Sequence, residues 1–95
     1  VAAASGGWRF SDTHLSQAIE EWKQRESPTP EAIDALYEWC ISTVDVGPSD
    51  SNTLPISEAD DLYLAFVPAA NVFVVFLAVL QDQSIFVRNI EGRTQ

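Results

Sequence analysis

The chain has 95 residues, one cysteine, and fourteen acids against five bases, a net charge of −9. That length gives one domain with a modest core, and a lone cysteine excludes an internal disulfide or a cysteine-built metal site. The charge is the reverse of the basic stripe that displaces counterions from phosphate, which argues against direct nucleic-acid binding. The longest apolar run, Val72 to Leu80, is too short to span a membrane as a helix. One free cysteine suits a reducing cytoplasm, the expected location. Twelve of the fourteen acids fall between Ser11 and Asp61, with only Lys23 and Arg25 against them. The front half is acidic and the rest nearly neutral. A solubilising coat is the plain reading, and attraction to a basic partner or imitation of nucleic acid is the functional one.

Residues 1–7 are small and featureless and read as a flexible leader to a single domain over 8–95. Trp8-Arg9-Phe10 alternates as a short strand does. Ser11-Asp12-Thr13 then supplies helix-capping residues, with Asp12 suited to the positive end of the helix dipole. Leu15, Ala18, Ile19 and Trp22 follow at spacings of three and four, one apolar face of a helix ending near Arg25. Ser27-Pro28-Thr29-Pro30 stops that helix and starts the next, with Thr29 as N-cap and Pro30 at the first position. Ile33, Leu36, Tyr37, Cys40, Ile41 and Val44 form the second apolar stripe, with Trp39 off its centre. Trp22 and Tyr37 are expected to fill core. Gly47-Pro48 ends the helix. Two amphipathic helices joined by a few residues make an antiparallel hairpin.

Ser49 to Asp61 is polar and acidic and reads as a long loop, with Leu54 and Ile56 pinning it to the body. Leu62–Val67, Val72–Leu80 and Ser84–Ile90 are rich in β-branched and aromatic residues and are separated by turn-sized breaks. They predict a three-strand antiparallel meander, and Glu91 to Gln95 a frayed end. The fold class is therefore α+β: a two-helix hairpin on one face of a small, mainly antiparallel sheet, in the order β-α-α-β-β-β. The middle strand is apolar on both faces. Val72, Val74, Phe76, Ala78 and Leu80 point one way, and Phe73, Val75, Leu77 and Val79 the other. Helices on one side cover only one set, so the other is a contact surface.

Enzyme signals are thin. There is no phosphate-binding glycine loop and no cofactor motif, and the reading leans away from an enzyme. His14, the only histidine, stands near Ser11 and Ser16 without a nucleophile motif and reads as a surface residue. Cys40 lies on an apolar stripe among acids, where a free cysteine acts as a small hydrophobe. Asp50, Asn52, Glu58, Asp60 and Asp61 are oxygen ligands by type, but their spacing misses a calcium loop, and no metal site is assigned.

Phe10-Ser11, the run from Leu36 to Pro48, and Val72-Phe73-Val74-Val75-Phe76 with Asp82, Ile85, Val87 and Ile90 resemble the RelE/ParE family of toxin–antitoxin toxins. They match its opening strand and helix cap, its second helix with the proline after it, and its central hairpin. The resemblance implies a toxin held by an antitoxin that covers the apolar face. In the ribosome-dependent nucleases of that family the central strand carries an arginine where Phe73 stands, and an aromatic where Phe76 stands. Only Arg88 and Arg93 are basic near the sheet, too few cations to cradle RNA and its developing phosphate charge. The expectation is a RelE/ParE-like toxin without RNA cleavage, acting through protein contacts. The alternatives are an acidic inhibitor of the immunity, antitoxin or nucleic-acid-mimic kind, or a self-associating structural domain. The partner-binding set is Phe73, Val75, Leu77, Val79, Phe86 and Arg88, with Phe86 or Ile85 completing the outer patch. The occupant is a protein partner or a second copy, with no cofactor, nucleic acid or membrane.

Overall fold

The computed structural model describes residues 7–49 and 52–92. The expected leader falls outside these residues except for Gly7, as do Asp50, Ser51 and the last three positions. The elements run β1 (Arg9–Phe10), α1 (Asp12–Glu26), α2 (Pro30–Val46), β2 (Thr53–Ser57), β3 (Leu62–Val67), β4 (Val72–Val79) and β5 (Ser84–Gly92), an α+β chain. The strands form one sheet in the order β1-β5-β4-β3-β2. All neighbours are antiparallel except β1, which lies parallel to β5 with Arg9 opposite Ser84 and Phe10 opposite Ile85. No helix is long and apolar enough to cross a membrane among the described residues.

Local chemistry places the breaks. Thr29 Oγ1 accepts from the Ala32 amide at 3.1 Å, and Pro30 opens α2. Ser27 closes α1 in the left-handed region at φ 47°, its amide on the Lys23 carbonyl. The hairpin turns use Asn71 (φ 57°) and Gln83 (φ 52°), whose short or polar side chains tolerate this region better than β-branched ones.

Both helices pack on one face of the sheet. The core joins Ile19 and Trp22 of α1 and Leu36, Trp39 and Cys40 of α2 to Val72, Val74, Phe76 and Ala78 of β4. Ile85, Val87 and Ile90 of β5 complete it. Trp39 meets the Phe76 ring edge-on at 5.7 Å, and Tyr63 stacks with Phe76 at 5.8 Å.

Five expectations need correction. The stretch expected to be a loop contains β2, so the element order has one more strand. Leu54 and Ile56 do not pin it: they are 64% and 52% exposed, because β2 is an edge strand with no layer above it. The α2 stripe is rotated. Leu36, Trp39, Cys40 and Thr43 face the sheet, while Tyr37 and Ile41 are 45% and 65% exposed. The large Trp39 ring fills the space between Phe10 and Phe76, and burying it turns Tyr37 outward. Leu80 is exposed because β4 stops at Val79, and Glu91 and Gly92 belong to β5 instead of a frayed end.

Candidate interaction face

Alternation along β4 is complete: Val72, Val74, Phe76 and Ala78 are buried, and Phe73, Val75, Leu77 and Val79 are half-exposed on the face away from the helices. Residues paired across strands point to the same side, so the registers extend this face row by row. Phe66, Phe73 and Glu91 form one row. Leu54, Leu64, Val75 and Asn89 form the next, and Ser57, Leu62, Leu77 and Phe86 the third. Val79, Ser84 and Arg9 finish the face toward β1. Phe66 and Phe73 touch with ring centroids 5.0 Å apart. No helix or strand of the described residues lies across this surface.

Phe86 is the β5 aromatic on this face, and Ile85 is fully buried on the other. The reason is register. A bulge shifts the β4–β5 pairing so that Val75 faces Asn89 while Phe76 faces Val87. Arg88 is the extra residue. In a regular strand Val87 and Ile90, three apart, would lie on opposite faces; the bulge lets both reach the core. The bulge also turns Arg88 out beside Leu77, Val79 and Phe86, where it is exposed and, among the described residues, has no ion pair. Among the described residues, Arg9 and Arg88 are the cations at this face.

The rim is built from α1. His14 stands edge-on to Phe86, centroids 5.3 Å apart at 89°, and closes one end of the apolar floor. Ser11 Oγ and His14 Nδ1 are 2.7 Å apart, the N-cap residue bonded to the third residue of its helix. Among the described residues no carboxylate bonds to the imidazole, so the pair lacks the orienting acid of a catalytic triad. Farther along, Arg25 Nη2 donates to the Ile90 carbonyl, and the Gly92 amide donates to Glu26 Oε2 at 3.0 Å. These side chains occupy the β5 edge beyond the two-residue β1, where strand addition would otherwise begin. At the opposite edge, Pro55 lacks an N–H and a bulge at Ile56 interrupts the pairing.

The remaining chemistry is structural. Burial pushes the Cys40 thiol up to about 12, which leaves it protonated and unreactive. Thr43 Oγ1 donates to the Trp39 carbonyl at 2.7 Å. Trp39 Nε1 is buried without an acceptor among the described residues. Among the described residues no group of histidine, cysteine and carboxylate side chains gathers to hold a metal.

The sheet brings Phe73, Val75, Leu77, Val79, Phe86 and Arg88 together on one face. Sequence reasoning missed Leu62, Leu64 and Phe66 of β3, Leu54 of β2, and His14. The β3 alternation carried the signal for the first three. Nothing local marked Leu54 or His14, whose positions depend on pairing and on where α1 crosses the sheet edge. The chain matches no protein-family model and no curated protein sequence.

Proposed function

We propose that the protein acts by binding another polypeptide through the outer face of its sheet, as a RelE/ParE-like toxin that does not cleave RNA. The observation that carries this reading is the registered apolar surface over β3, β4 and β5, bare on a chain whose other surfaces are strongly acidic. Each of its partly exposed side chains has at most roughly 0.5–1 kcal/mol still to gain from complete cover, about a third of the value of full burial. A partner that covers the face collects several such terms at once. The element order is in keeping with the family reading in β1, the helix pair and β3 to β5, with β2 an additional strand between them. Phe73 at the arginine position, and a face whose cations among the described residues are Arg9 and Arg88, support the absence of nuclease chemistry.

A second reading rests on the helices. Glu20, Glu21, Glu31, Asp34, Glu38 and Asp45 are all exposed, and the ion pairs of the helices among the described residues are Lys23–Glu20 at 3.6 Å and Arg25–Glu26 at 3.4 Å. Such a surface suits an inhibitor of a basic protein.

The test is a two-hybrid screen with the wild-type chain as one bait and the Val75→Lys, Leu77→Lys double variant as the other. Partners held by the first and lost by the second support the outer-face reading. Partners that bind both equally refute it. Growth arrest on expression in bacteria, with cellular RNA left intact, supports the toxin role. Unimpaired growth removes that role, and cleaved RNA removes the claim of inactivity.

A further inference from the structure

We infer that the outer sheet face takes a second copy of this chain, in a two-fold pairing that sets Arg88 of each copy against Glu91 of the other; this rests on the outer face being an interaction surface. Charge position carries it. Across the sheet, Glu91 shares a row with Phe66 and Phe73, and Arg88 borders the row of Leu62, Leu77 and Phe86. The row through Val75 lies midway between them. A two-fold axis along that middle row, in the plane between two facing sheets, exchanges the outer rows. Val75 then meets Val75, the Phe66–Phe73 pair meets Leu62 and Leu77, and Arg88 meets Glu91 twice. Such an interface is self-complementary in charge, as a two-fold contact requires.

The rest of the molecule permits the pairing. The net charge of −9 would oppose association if spread evenly, but the acids of α1 and α2 lie on the far side of the sheet. Facing sheets pack about 10 Å apart with another helix layer outside each, beyond the ~8 Å screening length at physiological salt. Size sets the strength. Strands spaced at ~4.8 Å and residues rising ~3.3 Å give a face of roughly 500 Å² per copy, about 1,000 Å² in all. That is the lower limit for a specific interface, so the dimer is weak and concentration-dependent. A small interface of this kind yields readily to a partner with more area.

The experiment is sedimentation velocity on the full chain across the micromolar range, followed by a charge-reversal cycle. The wild-type chain is expected to move from monomer to dimer as concentration rises. Arg88→Glu and Glu91→Arg each weaken the dimer by about tenfold, and the double reversal restores it to near the wild-type value. Circular dichroism on each variant checks that the fold is kept; both positions are exposed. A wild-type chain that is monomeric throughout overturns the inference. So does a double variant no better than the singles. Neither result touches the wider reading, which stands if Val75→Lys still abolishes capture of a different polypeptide. A dimer that survives Val75→Lys with Leu77→Lys also overturns the inference, since its contacts then lie on another surface.

Discussion

Gly47→Ala is expected to be among the most damaging single-methyl changes in this protein. Gly47 follows α2 at φ 59° and ψ −137°, a conformation that side chains other than glycine rarely adopt. A Cβ built there would lie 2.3 Å from Trp8 Cε2 and 2.4 Å from Nε1. Trp8 is 7% exposed, and its amide donates to the Val44 carbonyl at 3.2 Å, so the ring has little room to withdraw. The backbone strain costs about 1–3 kcal/mol. Displacing the ring adds about 1–3 kcal/mol, the usual range for overpacking. Together they remove roughly 2–6 kcal/mol from a total of about 5–14 kcal/mol for a chain of this size. Gly7→Ala is the control. Its φ of 97° is also strained, but its Cβ would meet only the flexible Gln83 side chain, at 3.3 Å. Both variants place a side chain at positive φ, so a clearly larger loss for Gly47→Ala reports the Trp8 contact. Urea unfolding with both variants measures it, and near-ultraviolet circular dichroism reports the displaced indole. A loss below ~0.5 kcal/mol for Gly47→Ala, or equal losses for the two, would refute the reasoning.

Leu36 is fully buried where α2 meets the sheet, so Leu36→Ala should cost about 2–5 kcal/mol in the same unfolding assay. Cys40 should resist thiol-reactive reagents in the folded protein and react at once when unfolded. Its pKa is raised from the ordinary 9.0 to about 12 by burial, so between those values only the unfolded chain releases the proton. Stability is therefore unaffected by this group below pH 9, falls as pH rises toward 12, and Cys40→Ala should flatten that part of the profile. Glu26→Gln weakens the acceptor of the Gly92 amide, and hydrogen exchange there should quicken while the core strands keep their protection. Unchanged exchange at Gly92 would mean that α1 does not guard this edge.

The sequence by itself determined the elements whose signals are local. Thr29 with Pro30, the stop at Ser27-Pro28 and the periodicity of Leu15, Ala18, Ile19 and Trp22 set the helices, because caps, proline and a 3.6-residue period act within a turn or two of chain. Strict parity on β4 likewise fixed which of its residues share a face, since successive side chains in a strand must alternate. Tertiary structure decided the rest. Thr53–Ser57 carries Pro55 at its centre, which argues against a strand, and it becomes one only because β3 offers it an edge. Trp39 took the core position and turned Tyr37 outward, a choice made by the space between Phe10 and Phe76 and not by the helical period. The bulge at Arg88 is the sharpest case. Val87 and Ile90 have the wrong spacing for one face of a regular strand, and only the demand to bury both against the helices inserts the extra residue. That insertion puts Arg88 beside the apolar floor and leaves Glu91 in the row of Phe73. The charge pattern of the outer face thus depends on core packing on the other side of the sheet, which no local reading of the strand contains.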